Sequence, residues 1–179
     1  VFEMIENKSL DVIYENFCFF LLADTLCQIF NEKLDRKKFR VTKTIFSKTL
    51  QKTSYSNYFE YAKKGSLPRV RLHYNKNYSG GKRMESYSKD YDPDISLEIY
   101  NDSDEIEKIY MFDSKFKAVV FGDADDEDVV KLYKLDDISK MHAYKDAITN
   151  GVGAFVLYPG TVKKLYIEDD TMTYKGVGA

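Results

Sequence analysis

Two segments constrain this chain more than any other part of it. Pro93-Asp94-Ile95-Ser96-Leu97-Glu98-Ile99-Tyr100 alternates the polar Asp94, Ser96 and Glu98 with the apolar Ile95, Leu97 and Ile99. A period of two marks a half-buried strand. Lys108-Ile109-Tyr110-Met111-Phe112-Asp113-Ser114-Lys115-Phe116 reads as a second strand, with Asp113 and Lys115 on one face and Phe112, Ser114 and Phe116 on the other. A turn around Asn101-Asp102-Ser103-Asp104-Glu105 lies between them. If the two strands pair, Asp94, Asp113 and Lys115 converge. Two carboxylates and an ammonium together suit a hard divalent cation and an activated water, the chemistry of phosphodiester cleavage. The bland alternative makes Asp94 a strand opener and Lys115 a salt-bridge partner of Asp113. Joint placement argues against it, because charged groups on buried strands cost stability unless they serve a site.

The rest of the chain supplies a frame. Its 179 residues, 44% hydrophobic and 15% aromatic, suffice for one domain with a real core. Residues 9–31 read as a helix with Ser9 as N-cap and Asp11 in the first turn. Glu15, Cys18, Phe19, Leu22, Leu26 and Ile29 form its apolar stripe, so Glu15 needs a partner or a function there. Phe39–Ile45 and Pro68–Tyr74 look like strands, and the polar segment between them reads as loop or short helix. Residues 79–92 form a polar loop. A second helix opens at Asp136-Asp137-Ile138, with Asp137 as N-cap and Gly151 as its stop. Strands at 153–158 and 164–167 follow. Helix, strands, helix, strand describes an α/β sheet flanked by helices, with a right-handed crossover between parallel neighbours.

The net charge of −2 argues against a protein that coats nucleic acid, though not against local basic contacts. The run Asp123-Ala124-Asp125-Asp126-Glu127-Asp128 reads as a solvated loop, without the ligand spacing of a calcium loop. Cys18 and Cys27 are expected as reduced core residues, which points to a cytoplasmic setting. No segment is expected to span a bilayer, and no membrane partner is foreseen. With two His and two separated Cys, a structural zinc site is not expected, and His73 has no partner discernible in the sequence. The chain opens on Val1, and the expectation is a single domain, residues 1–179, taken from a longer protein.

An acid on the first helix, a Pro-Asp opening a strand and an Asp-x-Lys on the next resemble the PD-(D/E)xK restriction-endonuclease-like superfamily. The following helix carries Lys140 where that family often has Gln, and Tyr144 matches four residues later. That helix, with Tyr14-Glu15-Asn16-Phe17-Cys18 and Leu157-Tyr158-Pro159-Gly160, looks like the nuclease domains related to McrC, partners of NTP-driven restriction systems. The resemblance spans about residues 9–160. It implies a restriction-endonuclease-like α/β fold with a central mixed sheet flanked by helices, and a magnesium-dependent DNA endonuclease of restriction or defence type, with Mn²⁺ able to substitute. Glu15, Asp94, Asp113 and Lys115 would be catalytic. The metal ligands would be Asp94, Asp113 and the backbone carbonyl of Ser114, with Lys140 and Tyr144 auxiliary. Arg69, Arg71, Lys82 and Arg83 are candidate phosphate contacts. Partners would be DNA, an AAA-type NTPase supplied by another chain, since no P-loop is present here, and a second copy of the chain. Two alternatives stay open: an interaction module for the motor NTPase, and an RNA-processing nuclease.

Overall fold

The computed structural model describes residues 10–33, 41–43, 48–50, 57–81, 85–116, 135–160, 163–167 and 174–179. Helix α1 is Leu10–Phe30 and helix α2 is Leu135–Ala147. Strands β1 (Val41–Lys43) and β2 (Lys48–Leu50) pair as a small antiparallel ribbon. The remaining strands are β3 (Tyr58–Tyr61), β4 (Val70–Tyr74), β5 (Ile95–Tyr100), β6 (Ile106–Ser114), β7 (Gly151–Leu157), β8 (Leu165–Ile167) and β9 (Gly176–Gly178). They form one mixed sheet in the order β3-β4-β5-β6-β7-β9-β8. Chain order β6-α2-β7 makes a parallel crossover, as the sequence order suggested.

Each helix covers one face. On the α1 face, Phe19 stacks on Phe59 at 5.7 Å and tilts against Tyr74 at 5.3 Å. Cys18, Ala23 and Cys27 pack there with Leu72 and Ile95, and both cysteines are free thiols. On the α2 face, Met141, Tyr144 and Ile148 bury against Ile109, Met111, Ala154 and Val177.

Several expectations need correction. The buried side of α1 runs through Glu15, Phe19, Ala23, Cys27 and Phe30, and Ile29 is exposed, because the last turn seats Phe30 on Tyr61 instead. Helix α1 is also long and apolar enough to cross a membrane by length and composition, contrary to the expectation that no segment is. In this fold one of its sides is committed to the sheet. The described parts of the segment between residues 45 and 68 are neither loop nor helix alone but contribute β2 and β3. Helix α2 starts at Leu135, so Asp137 is in its first turn rather than at the cap, and accepts a hydrogen bond from Tyr158 Oη at 2.6 Å. The helix stops before Gly151. Asn150 takes the left-handed conformation at φ 63, and Gly151 already opens β7. Gly151 is still required, because a Cβ there would lie 2.8 Å from the carbonyl oxygens of Lys145 and Ile148. Ser9, Lys82, Arg83 and the acidic run 123–128 lie outside the described residues.

Strand β5 is not half-buried. Its polar side is covered as well, with Ser96 and Glu98 at 0% and 1% exposure. Glu98 sits in a donor cage. Lys76 Nζ and Tyr78 Oη (3.1 Å) donate to Oε1, while Tyr100 Oη (2.7 Å) and His73 Nε2 (3.0 Å) face Oε2. His73 therefore has a partner after all, brought by the β4–β5 register that sets His73 opposite Ser96. Burial alone would raise the Glu98 carboxyl, but the His73 and Lys76 contacts outweigh it and hold the group well below the usual carboxylate range. A depressed folded-state value stabilises the fold above the unfolded carboxylate range, and that contribution is lost as pH falls. Glu98→Gln takes the close carboxylate from the buried Lys76 ammonium and leaves it only Glu85 at 3.5 Å, so it should cost about 3–5 kcal/mol near neutral pH. The loss of stability between pH 5 and pH 3 should become shallower in the variant, which denaturant melts across that range would measure.

Candidate active site

The site grows from the pairing of β5 with β6. Ile95 opposes Phe112 in an antiparallel register, which sets Asp94, one step before β5, across from Asp113 near the end of β6. Asp113 points to the α2 face and is 0% exposed. Asp94 Oδ2 accepts the backbone N–H of Ser114 at 2.7 Å, which fixes the carboxylate against the end of β6. Lys115 N–H donates to the carbonyl of Leu157 at 2.9 Å, so β7 anchors the residue whose ammonium pairs with Asp113 Oδ2. Asp94, Asp113 and Lys115 are thus brought together as the alternation of the two strands required.

Helix α2 adds a group to the same carboxylate. Lys140 Nζ donates to Asp113 Oδ1 at 2.7 Å. One turn on, the Tyr144 ring lies 5.1 Å from that ammonium, and its hydroxyl donates to the Asp92 carbonyl at 3.2 Å. Tyr144 is buried edge-on against Tyr91, so it supports the segment leading into Asp94 from beneath. Burial, then the charges of Asp113 and Asp94, push its hydroxyl well above the usual phenol range, so it stays a neutral donor.

Glu15 reaches the site from α1, on the other side of the sheet. Its Oε1 accepts from Asn75 Nδ2. Asn75 follows β4 in the left-handed conformation (φ 49) and donates its backbone N–H to the Asp94 carbonyl at 2.8 Å. Asn75 therefore ties Glu15 to the Asp94 segment. Sequence reasoning passed over this residue; the available signal was an Asn directly after a strand, the side chain that best tolerates a positive φ. The neighbouring Cys18 is no thiolate, since burial pushes its thiol up against the opposing hydrogen bonds with Tyr14 and Ser114.

The candidate phosphate contacts Arg69 and Arg71 are not part of this cluster. Arg71 opposes Glu98, four residues from Asp94 along β5 and roughly 13 Å away at strand spacing. Both guanidinium groups engage Glu60, and Arg69 also pairs with Asp104 and lies 3.6 Å over the Tyr100 ring.

The electrostatics are those of a site short of positive charge. The Asp94 carboxyl is pushed up to about 6, first by burial, then by the charges of Asp113 and Glu15; the Ser114 N–H and Lys115 oppose this only in part. Hard oxygen donors that repel one another in a dry setting suit a small divalent cation. Among the described residues no three His, Cys, Asp or Glu side chains are grouped to hold a metal. The residues that could hold such a cation are the Asp94 and Asp113 carboxylates, which would leave it several of its own waters.

A sequence model of the PD-(D/E)XK nuclease superfamily matches residues 12–163, which include Glu15, both aspartates, Lys115, Lys140 and Tyr144. The chain belongs to that superfamily. It is accordingly a nuclease by family, and its mixed sheet between two helices is the restriction-endonuclease-like arrangement. Comparison with curated proteins and with solved structures finds no match.

A carboxyl whose folded-state value is raised above its unfolded one destabilises the fold once ionised, and that penalty is relieved as pH falls through the folded value. Asp94→Asn keeps an acceptor for the Ser114 N–H and removes the charge. It should stabilise the metal-free protein by about 1–3 kcal/mol at pH 8, with the gain shrinking toward pH 5. Urea unfolding in chelator at both pH values checks this.

Proposed function

We propose that this nuclease is a magnesium-dependent DNA endonuclease domain of restriction or defence type. The observation that carries the reading is the meeting of Asp94, Asp113 and Lys115 at one end of the sheet, in an arrangement that costs stability without a cation. Asp94 and Asp113 hold the cation, with the Ser114 carbonyl as a further oxygen. A cation bound there supplies a more acidic water and offsets the charge that develops on the scissile phosphate.

The protein's own groups do the rest. The Ser114 N–H holds Asp94 in place through its Oδ2. Lys115, 30% exposed and tied to Asp113, orients the attacking water and stabilises the pentacovalent phosphorus in the transition state. Glu15, held by Asn75, takes a water at the edge of the cluster and orders it beside Asp94. Phosphate contacts made by lysines and arginines around the site position the strand without reading bases. The likeness to McrC-related domains suggests a cytoplasmic protein that works beside an AAA-type NTPase, with two copies cutting the two strands.

The test is cleavage of supercoiled plasmid and of single-stranded DNA with Mg²⁺ or Mn²⁺, comparing the chain with its Asp113→Asn variant. Cutting should require the cation and fall at least about 100-fold in the variant. Cutting that survives Asp113→Asn would move the chemistry elsewhere. RNA cut in preference to DNA would change the substrate and leave the site.

A further inference from the structure

Asp113 has both carboxylate oxygens covered by ammonium groups, and the two lysines are not equivalent. Lys115 is on the same strand, two residues on, and approaches Oδ2. Lys140 comes from a different element, α2, and takes Oδ1 at 2.7 Å. Its side chain is 42% exposed, against 0% for Asp113, so it enters the site from solvent and has room to leave. In the same position its ammonium also lies 5.1 Å from the centroid of the Tyr144 ring. The charge balance points the same way. With Glu15, Asp94 and Asp113 ionised, two lysines leave the cluster one negative charge; a divalent cation added to both would overshoot, whereas a cation replacing Lys140 leaves it neutral. An ammonium and a divalent cation cannot share one carboxylate oxygen at hydrogen-bond range without strong repulsion.

We propose that Lys140 is an exchangeable counter-ion for Asp113, holding Oδ1 until a divalent cation displaces it and then turning outward to meet the backbone phosphate of the bound strand. This rests on the magnesium-dependent reading above, and adds that a residue of α2 sets the cation affinity. Lys140 is in this sense a positioning residue: it keeps the buried carboxylate oriented in the metal-free protein and releases it at the moment of loading. Coupling follows necessarily, since whatever favours the outward lysine, including a phosphate placed to receive it, must favour cation binding by the same factor.

Calorimetric titration of Mn²⁺ into the whole chain, without nucleic acid, tests this independently of activity. Lys140→Met should bind Mn²⁺ at least about fivefold tighter than the parent chain. Lys140→Arg should stay near the parent affinity. Lys63→Met, which removes the same charge from the exposed pair with Asp102, should leave the affinity unchanged. In chelator Lys140→Met should also melt lower than the parent and gain more from added Mn²⁺. Parent-chain binding that is lost in Asp113→Asn but not tightened by Lys140→Met would overturn the exchange and leave the metal reading intact. Mn²⁺ binding that is absent from the parent chain and from Lys140→Met alike would overturn both. Equal tightening by Lys63→Met would reduce the effect to net charge and also sink the proposal.

Discussion

One backbone register carries this molecule. Antiparallel pairing of β5 and β6 with Ile95 opposite Phe112 aligns Leu97 and Phe112 under α1, and by the same period of two sends Asp94 and Asp113 to the other face. A slip of β6 by one residue would turn Asp113 toward the α1 face and bring Phe112 under Lys140. The hydrophobic drive that seals the α1 face is therefore what holds the carboxylates together against their mutual repulsion. The Ser114 N–H to Asp94 bond then closes the corner, so the strand that carries one aspartate also orients the other.

Two buried acids on the same sheet face illustrate how surroundings divide structural from functional charge. Glu98 is matched by four donors and its acidity is strengthened; it behaves as a rivet joining β4, β5 and the segment from Asn75 to Tyr78. Asp94 is under-matched, and burial with neighbouring carboxylates weakens its acidity. Satisfied burial stabilises a fold, whereas unsatisfied like charge is retained where something else binds. The two are mechanically linked. Lys76, which pairs with Glu98, is adjacent to Asn75, which holds Glu15 and the Asp94 segment.

Helix α2 contributes differently from the strands. Its buried Met141 and Tyr144, with Ile148 just past its end, fix it on β6, β7 and β9, and the same docking aims Lys140 at Asp113. Lys140 is thus not a neutral surface residue, because its ammonium adds a charge at Asp113 that an amide in its place would not.

The sequence by itself determined the two-residue alternation that sorts Asp94, Ser96 and Glu98 from Ile95, Leu97 and Ile99, and Asp113 and Lys115 from Phe112. It also determined the crossover helix and the acid on the apolar side of α1. These are local patterns, fixed by side-chain chemistry and backbone period, and they were enough to name the cluster. Tertiary structure decided what faces what. Nothing near His73 announces Glu98, which is 25 residues away and reached only through strand pairing. Asn75 meets Glu15 across 60 residues, and Lys140 finds Asp113 across 27, because a helix packed on a sheet chooses its contacts by the shape of the core. The closing Gly176-Val177-Gly178 becomes a strand beside β7 for the same reason, since its backbone groups find partners only once the sheet exists.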